Sequence, residues 1–134
     1  MNREYEFRGF DSREWRYGDL EYNRKDDVAR IHTYKDDGSY NKQYLVDPYT
    51  VGEFTGMRDR HGKKIFEGDI VRVCDEDGID IGVVKYNEDF GKYVVVYSQV
   101  SGNWFDFEGT DGEFLAAFCS EVIGNIHDNF DLMK

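Results

Sequence analysis

The sequence predicts a mostly β protein organised as a small barrel or sandwich, and three observations point to that class. Short β-branched or aromatic runs recur at intervals of about 8 to 12 residues between clusters of Gly, Asn and Asp. Fourteen glycines and a single proline mean that the chain changes direction through glycine turns. Ten Tyr, ten Phe and two Trp make up 16% of the 134 residues and supply the large apolar surfaces a β core needs. A mean hydropathy of −0.73 leans toward disorder, but this aromatic surface argues for a folded chain. A chain of this length buries on the order of two-thirds of the surface its unfolded form exposes. That suffices for one modest core or two small fused ones and excludes a multidomain enzyme.

In the first half, residues 5–10 alternate aromatic and polar side chains and read as a strand, with 11–14 as its turn. Val28–Tyr34 and residues 43–46 read as two further strands, joined by a polar connection, 35–41, centred on Asp37 and Gly38. Asp47 and Pro48 form a turn, because proline bars its predecessor from helix. Residues 51–54 and a turn at 59–62 lead into the second half. Residues 1–63 are therefore expected to form an N-terminal β subdomain.

The second half, 64–134, reads as five strands. The Glu67-Gly68-Asp69 turn launches the run 70–74, and 81–86, 93–97 and 104–107 follow, separated by the loops 75–78, 87–91 and 98–103. Residues 122–126 return a closing strand. One short helix is expected at about 111–120: Thr110 and Glu113 have capping-box spacing, and Phe114, Leu115 and Phe118 form one apolar stripe. No repeat, low-complexity tract or linker separates the halves, so they are expected to pack against each other, or even to form one continuous compact domain.

Charge is unevenly shared. Residues 1–66 carry 13 Lys/Arg against 13 Asp/Glu, and residues 67–134 carry 4 against 15, so the second half holds the whole formal charge of −11. Such a surface repels phosphate backbones and attracts basic partners, although solubility charge is the commoner reason for an acidic small domain. Cys74 and Cys119 form no CxxC pair and read as reduced, partly buried thiols. The N-terminus has no apolar core of signal-peptide type, and no run reaches the roughly twenty apolar residues of a membrane span. A cytoplasmic, soluble protein is expected.

The motifs narrow the chemistry. Asp75, Asp77 and Asp80 sit in an Asp-rich loop, but the ligand series of a calcium loop is incomplete, so a solvated turn is the reading. His32, His61 and His127 lack His or Cys partners at zinc spacing and read as surface or turn histidines. A nucleophile elbow, a P-loop and a dinucleotide glycine pattern are all missing from the sequence. No catalytic residue, cofactor or metal is assigned, and the protein is expected not to be an enzyme. Two candidate binding features remain. Arg58, Arg60, Lys63 and Lys64, with His61 among them, cluster in one loop that can contact phosphates, although Asp59, Glu67 and Asp69 interrupt the patch and a solvated turn explains it as well. Trp104 heads the densest aromatic group, with Phe105 and Phe107; core packing explains it, whereas an exposed Trp beside acids is the mark of a protein-binding hot spot.

The strings EYEFRGFD, GEFTGMRDRHGKKIFEGDIVRV, GVVKY and EVIGNIHDN, in that order, closely resemble the YopX family of small phage and prophage proteins. The combination of TG-x-x-D-x-x-GK-x-I-x-EGDIV with VIGNI carries the specificity. The resemblance implies a mostly β fold with an SH3-like barrel over about 64–126, here five strands with the short inserted helix, and a setting in bacteriophages and prophages. It carries no catalytic residues. Phe130 stands where the family commonly has proline after the last Asn, and the stretch 23–43 matches no family pattern.

The expected function is that of a non-enzymatic, phage-encoded accessory protein that binds a host or phage protein through an acidic barrel surface. Self-association into a homo-oligomer is a further expectation. The alternatives are a nucleic-acid-binding protein using the basic loop 58–64 and an acidic DNA-mimic inhibitor.

Overall fold

The computed structural model describes residues 4–75, 78–97, 104–106 and 120–133. The chain is mostly β, as the spacing of its short apolar runs dictates, and its strands form two antiparallel sheets. It divides into two compact units, 1–54 and 55–134, so the hairpin of the basic loop belongs with the second unit.

In the first unit, β1 (Phe7–Phe10), β2 (Trp15–Asn23), β3 (Val28–Tyr34) and β4 (Tyr40–Val46) form an antiparallel meander in the order β4-β3-β2-β1. The start of β5 (Gly52–Arg58) pairs with β1 through Gly52 and Glu53. Two-residue alternation sends Phe7, Leu20, Ala29, Ile31, Tyr44 and Val46 to one face, where Ala29, Ile31 and Val46 are buried. A short helical turn, Pro48–Thr50, follows β4, and Thr50 locks it down: its hydroxyl donates to the Asp47 carbonyl and accepts from the Phe10 amide.

One irregularity reshapes the outer face of this sheet. His32 pairs with Gln43 and Tyr34 with Tyr40, so β4 carries an extra residue at Asn41 and Lys42 opposite Thr33. The Thr33 hydroxyl fills this bulge, donating to the Lys42 carbonyl and accepting from the Asn41 side-chain amide. The extra residue turns Tyr40 onto the face of His32 and Tyr34, opposite to the core.

The second unit contains β6 (Lys64–Phe66), β7 (Asp69–Asp75), β8 (Gly78–Asn87), β9 (Lys92–Tyr97), β10 (Trp104–Asp106) and β11 (Ser120–Asn125). Its sheet runs β10-β9-β8-β7-β11, a meander with the last strand returned beside the first. Ile65, Val71, Val73, Val84 and Val95 are its buried core, with Met57, Tyr93, Tyr97 and Val122 packed around them.

One sequence expectation needs correction, and a second falls almost wholly outside the described residues. Among the described residues the five-stranded sheet is open, not a closed barrel. Groups from the loop after β5 lie along β11 instead of a strand: the Arg60 backbone amide donates to the Ser120 carbonyl and the Val122 amide donates to the Asp59 carboxylate. The helix expected at about 111–120 lies outside the described residues except at its end, where Ser120 is fully buried and already paired with Val73 in β11. The closing strand accordingly starts and ends earlier than 122–126, and Ile126 donates its amide to Gly68 in a turn. Two strands have no counterpart among the expected elements: β2, and the three-residue β6. No helix among the described residues is long and apolar enough to cross a membrane.

Candidate functional site

The basic loop is built around one carboxylate. Asp59 is 5% exposed; its Oδ1 accepts the amides of His61 and Lys63 and its Oδ2 accepts the amide of Val122. Burial pushes this carboxyl up, but the amides of Val122, Lys63 and His61 outweigh it and hold the group below the ordinary carboxylate range. The loop is thus a tight, charged-acceptor turn clamped to β11. Of the sequence candidates, Arg58, Arg60 and Lys63 are exposed and Lys64 is half-buried. Arg58 is turned inward on the loop, donating to the Gly62 carbonyl at 3.1 Å. Arg60 and His61 lie close enough to Glu121 to lower its carboxyl, whose main partner is Arg72 at 2.7 Å. The structure therefore brings the basic residues to one hairpin and sets an acid beside them. Trp104 is placed in β10 opposite Val96.

Elsewhere in the second unit, the β8–β9 hairpin presents apolar groups among charges of both signs: Glu88 and Asp89 at the tip, Lys85 beside Tyr86, and Lys92 with its ammonium 5.8 Å over the Phe90 ring. Phe90 is 61% exposed and Tyr86 46%, beside exposed Glu88 and Asp89, while Ile79 stands 63% exposed next to Asp80 at the other end of β8. The tip is rigidly made. Asn87 Oδ1 accepts the amides of Asp89 and Phe90, and the Tyr86 ring meets Tyr93 edge-on at 5.2 Å.

Sequence reasoning missed a third feature, on the outer face of the first sheet. His32 lies between two partners: its Nε2 is 2.7 Å from Glu21 Oε1 and its Nδ1 is 2.9 Å from the Tyr40 hydroxyl. Beside it the Tyr34 hydroxyl donates to Asp19 at 2.9 Å, and this hydrogen bond raises the pKa of the phenol. Glu21 accepts from Nε2–H; Nδ1 accepts from the Tyr40 hydroxyl when the ring is neutral and donates to it when the ring is protonated. The signal that finds this chain of groups is the register of β2, β3 and β4 together with the bulge, neither of which is visible in a linear reading.

The family model of the YopX protein matches residues 6–134. The chain belongs to the YopX family. The solved structure described as the crystal structure of protein EF1440 from Enterococcus faecalis has the same fold at a TM-score of 0.59, with 18% identity over 99% of this chain and 100% of that one. No curated protein matches. With the YopX assignment in place, the motif residues acquire roles, and those roles are architectural. Asp59 clamps the loop, Ile65 fills the core, and Asp69, 2% exposed, accepts the Phe66 amide at 2.8 Å. Gly68 links β8 to the last turn, donating to Val84 and accepting from Ile126. Asn125 Oδ1 accepts the amides of His127 and Asp128, and Asn129 Oδ1 accepts the Asn125 amide.

Proposed function

We propose that the protein is a non-enzymatic accessory protein of phage or prophage origin, acting in the bacterial cytoplasm by binding a host or phage protein through the acidic surface of residues 67–134. The observation that carries this reading is the β8–β9 hairpin, where Phe90 and Tyr86 are exposed beside Glu88 and Asp89. Exposed aromatic rings rimmed by charge resemble a partner-binding hot spot; the hairpin itself balances Lys85 and Lys92 against Glu88 and Asp89, and it is the acidic excess of the rest of this half that favours a basic partner. The SH3-like description of this half belongs to the same proposal and is supported by strand order, a four-strand meander with the fifth strand returned beside the first. SH3-like scaffolds serve many binding tasks, so that step is one of analogy. Self-association, by burial of an edge strand in a dimer, is part of the proposal.

The test is affinity capture of the tagged protein from phage-infected cells, with and without nuclease, alongside a Phe90→Ala variant. A stoichiometric protein partner that survives nuclease and is lost with Phe90→Ala is the expected result. Capture of nucleic acid instead, abolished by nuclease, would overturn it in favour of the basic hairpin. That second reading draws on the exposure of Arg60 and Lys63 on a clamped loop, and it requires retention on DNA or RNA that weakens steeply with salt. The DNA-mimic alternative predicts competition between the protein and duplex DNA for one partner.

A further inference from the structure

The first unit contains a cleft that the family motif does not reach. Leu20, Tyr22, Asp27, Pro48, Tyr49 and Val51 line a space of about 450 Å³. Its floor is apolar, since Leu20 and Val51 pack against the buried Ala29, Ile31 and Val46. Pro48 and Tyr49 come from the helical turn after β4, whose backbone is fixed by Asp47 accepting the Tyr49 amide at 3.0 Å, yet the Tyr49 ring is 82% exposed. Across the cleft Tyr22, half exposed, donates its hydroxyl to Asp27 Oδ1 at 2.7 Å.

Asp27 sits in the left-handed region at φ 54°, at the end of a turn that Asn23 organises by accepting the Asp26 amide. The Tyr22 hydroxyl holds one carboxylate oxygen in place and leaves Oδ2 for a ligand. Two phenol rings, an apolar floor and one oriented carboxylate suit an organic cation. A neutral ligand would strip water from Asp27 without replacing its partner, and an anion would be repelled by it. Among cations, the planar, weakly hydrated guanidinium stacks on aromatic faces and pairs with carboxylates better than a compact ammonium does. Arg24 and Lys25, in the same turn, are both exposed; Arg24 lies close enough to act on the Tyr22 phenol, so it opposes a bound cation, and salt screens that opposition.

We propose that this cleft docks an arginine side chain carried on an extended segment of a protein partner, an inference that rests on the protein-binding reading above. The guanidinium lies between Tyr22 and Tyr49 against Asp27, and the aliphatic stem runs along Leu20 and Val51.

The test is an amide proton–nitrogen NMR titration of the full chain with the capped peptide Ac-Gly-Ser-Arg-Ser-Gly-amide, raised to about 10 mM because a single isolated side chain binds in the millimolar range. Saturable shifts at Tyr22, Asp27, Tyr49 and Val51 are expected, and the citrulline peptide, neutral and of the same shape, should bind at least about tenfold more weakly. Asp27→Asn keeps the Oδ1 acceptor and tolerates positive φ, so it preserves the turn while removing the charge. Tyr49→Ala removes an exposed ring with the backbone still held. Each should weaken arginine binding by about tenfold or more. Equal binding of the citrulline peptide, shifts scattered away from the cleft, or unchanged affinity in Asp27→Asn would overturn the proposal. Capture of a partner from infected cells by both wild type and Asp27→Asn would leave protein binding standing while removing this cleft from it.

Discussion

The polar side chains of the family motif in the second unit and those of the β2–β4 surface in the first are used in opposite ways. In the second, the carboxylates and amides of the family motif point inward: Asp59 and Asp69 are 5% and 2% exposed and Asn125 is 9%, each accepting backbone amides from turns. In the first, Asp19, Glu21, Asp27 and His32 bond to tyrosine hydroxyls or to each other on the surface. Polar groups that satisfy buried amides are bound by the fold and have nothing left for a ligand. The residues that identify the family are thus those that build the molecule, whereas the groups available for recognition stand elsewhere.

Removing the most connected of the buried acceptors should have the largest effect. Asp59→Ala orphans three amides at once and is expected to cost about 3 kcal/mol, read as a lowered denaturation midpoint with unchanged slope. Should Tyr40→Ala cost as much, the contrast between the units collapses.

Next comes Gly124→Ala. An added Cβ would lie 2.4 Å from Asn129 Oδ1, the atom that accepts the Asn125 amide, so the last turn must shift. A loss of about 1–3 kcal/mol is expected in thermal or denaturant unfolding, the usual range for overpacking.

A smaller effect, dependent on pH, should come from Asp11 in the first unit. The amide of Glu14, the Arg16 side chain and the Arg13 amide hold its carboxyl down to about 2, against an ordinary value of 3.8. Because the folded pKa lies below the unfolded one, the stabilisation is full above about pH 4 and fades as pH falls toward about 2. Asp11→Asn should therefore lower the melting temperature at neutral pH, with the gap to wild type closing in strong acid. A gap that stays constant across this window would mean that shape, not charge, holds this turn.

The smallest change is expected from Tyr34→Phe, which removes only an exposed hydroxyl from Asp19 and should stay within about 0.5 kcal/mol of wild type. A larger loss by the same denaturation measurement would show that the outer face of the first sheet is structural too.

How much the linear pattern discloses follows the same division. Val28–Tyr34 is legible to the residue because one face alternates Ala29, Ile31 and Thr33 against polar neighbours. The runs of β7, β8 and β9 announce themselves through dense Ile and Val, with consecutive valines in β8 and β9. β2 does not, because its apolar positions change phase, from Trp15 and Tyr17 to Leu20 and Tyr22, at Gly18, which itself weakens any strand reading. That glycine is required: a Cβ there would meet the His32 carbonyl oxygen at 2.0 Å. β4 reads too short, as 43–46, because the bulge at Asn41 and Lys42 interrupts its period. The basic loop is evident from composition, but Asp59, the residue that shapes it, looks like an interruption of the patch. The Glu21, His32 and Tyr40 chain joins three strands, and the Tyr22 and Asp27 pair spans a turn from a strand with no clear period, so neither has a local signature.

The bulge in β4 also governs what the edge of the first sheet can do. β4 lies at the outer end of its sheet, where a flat seven-residue strand with bare amides and carbonyls would template the same strand of a second molecule. Its extra residue bends the ladder midway and places Lys42 at the bend, so two such edges cannot zip together in register. The device that aims Tyr40 outward is therefore also one that disfavours edge-to-edge pairing between copies of the chain.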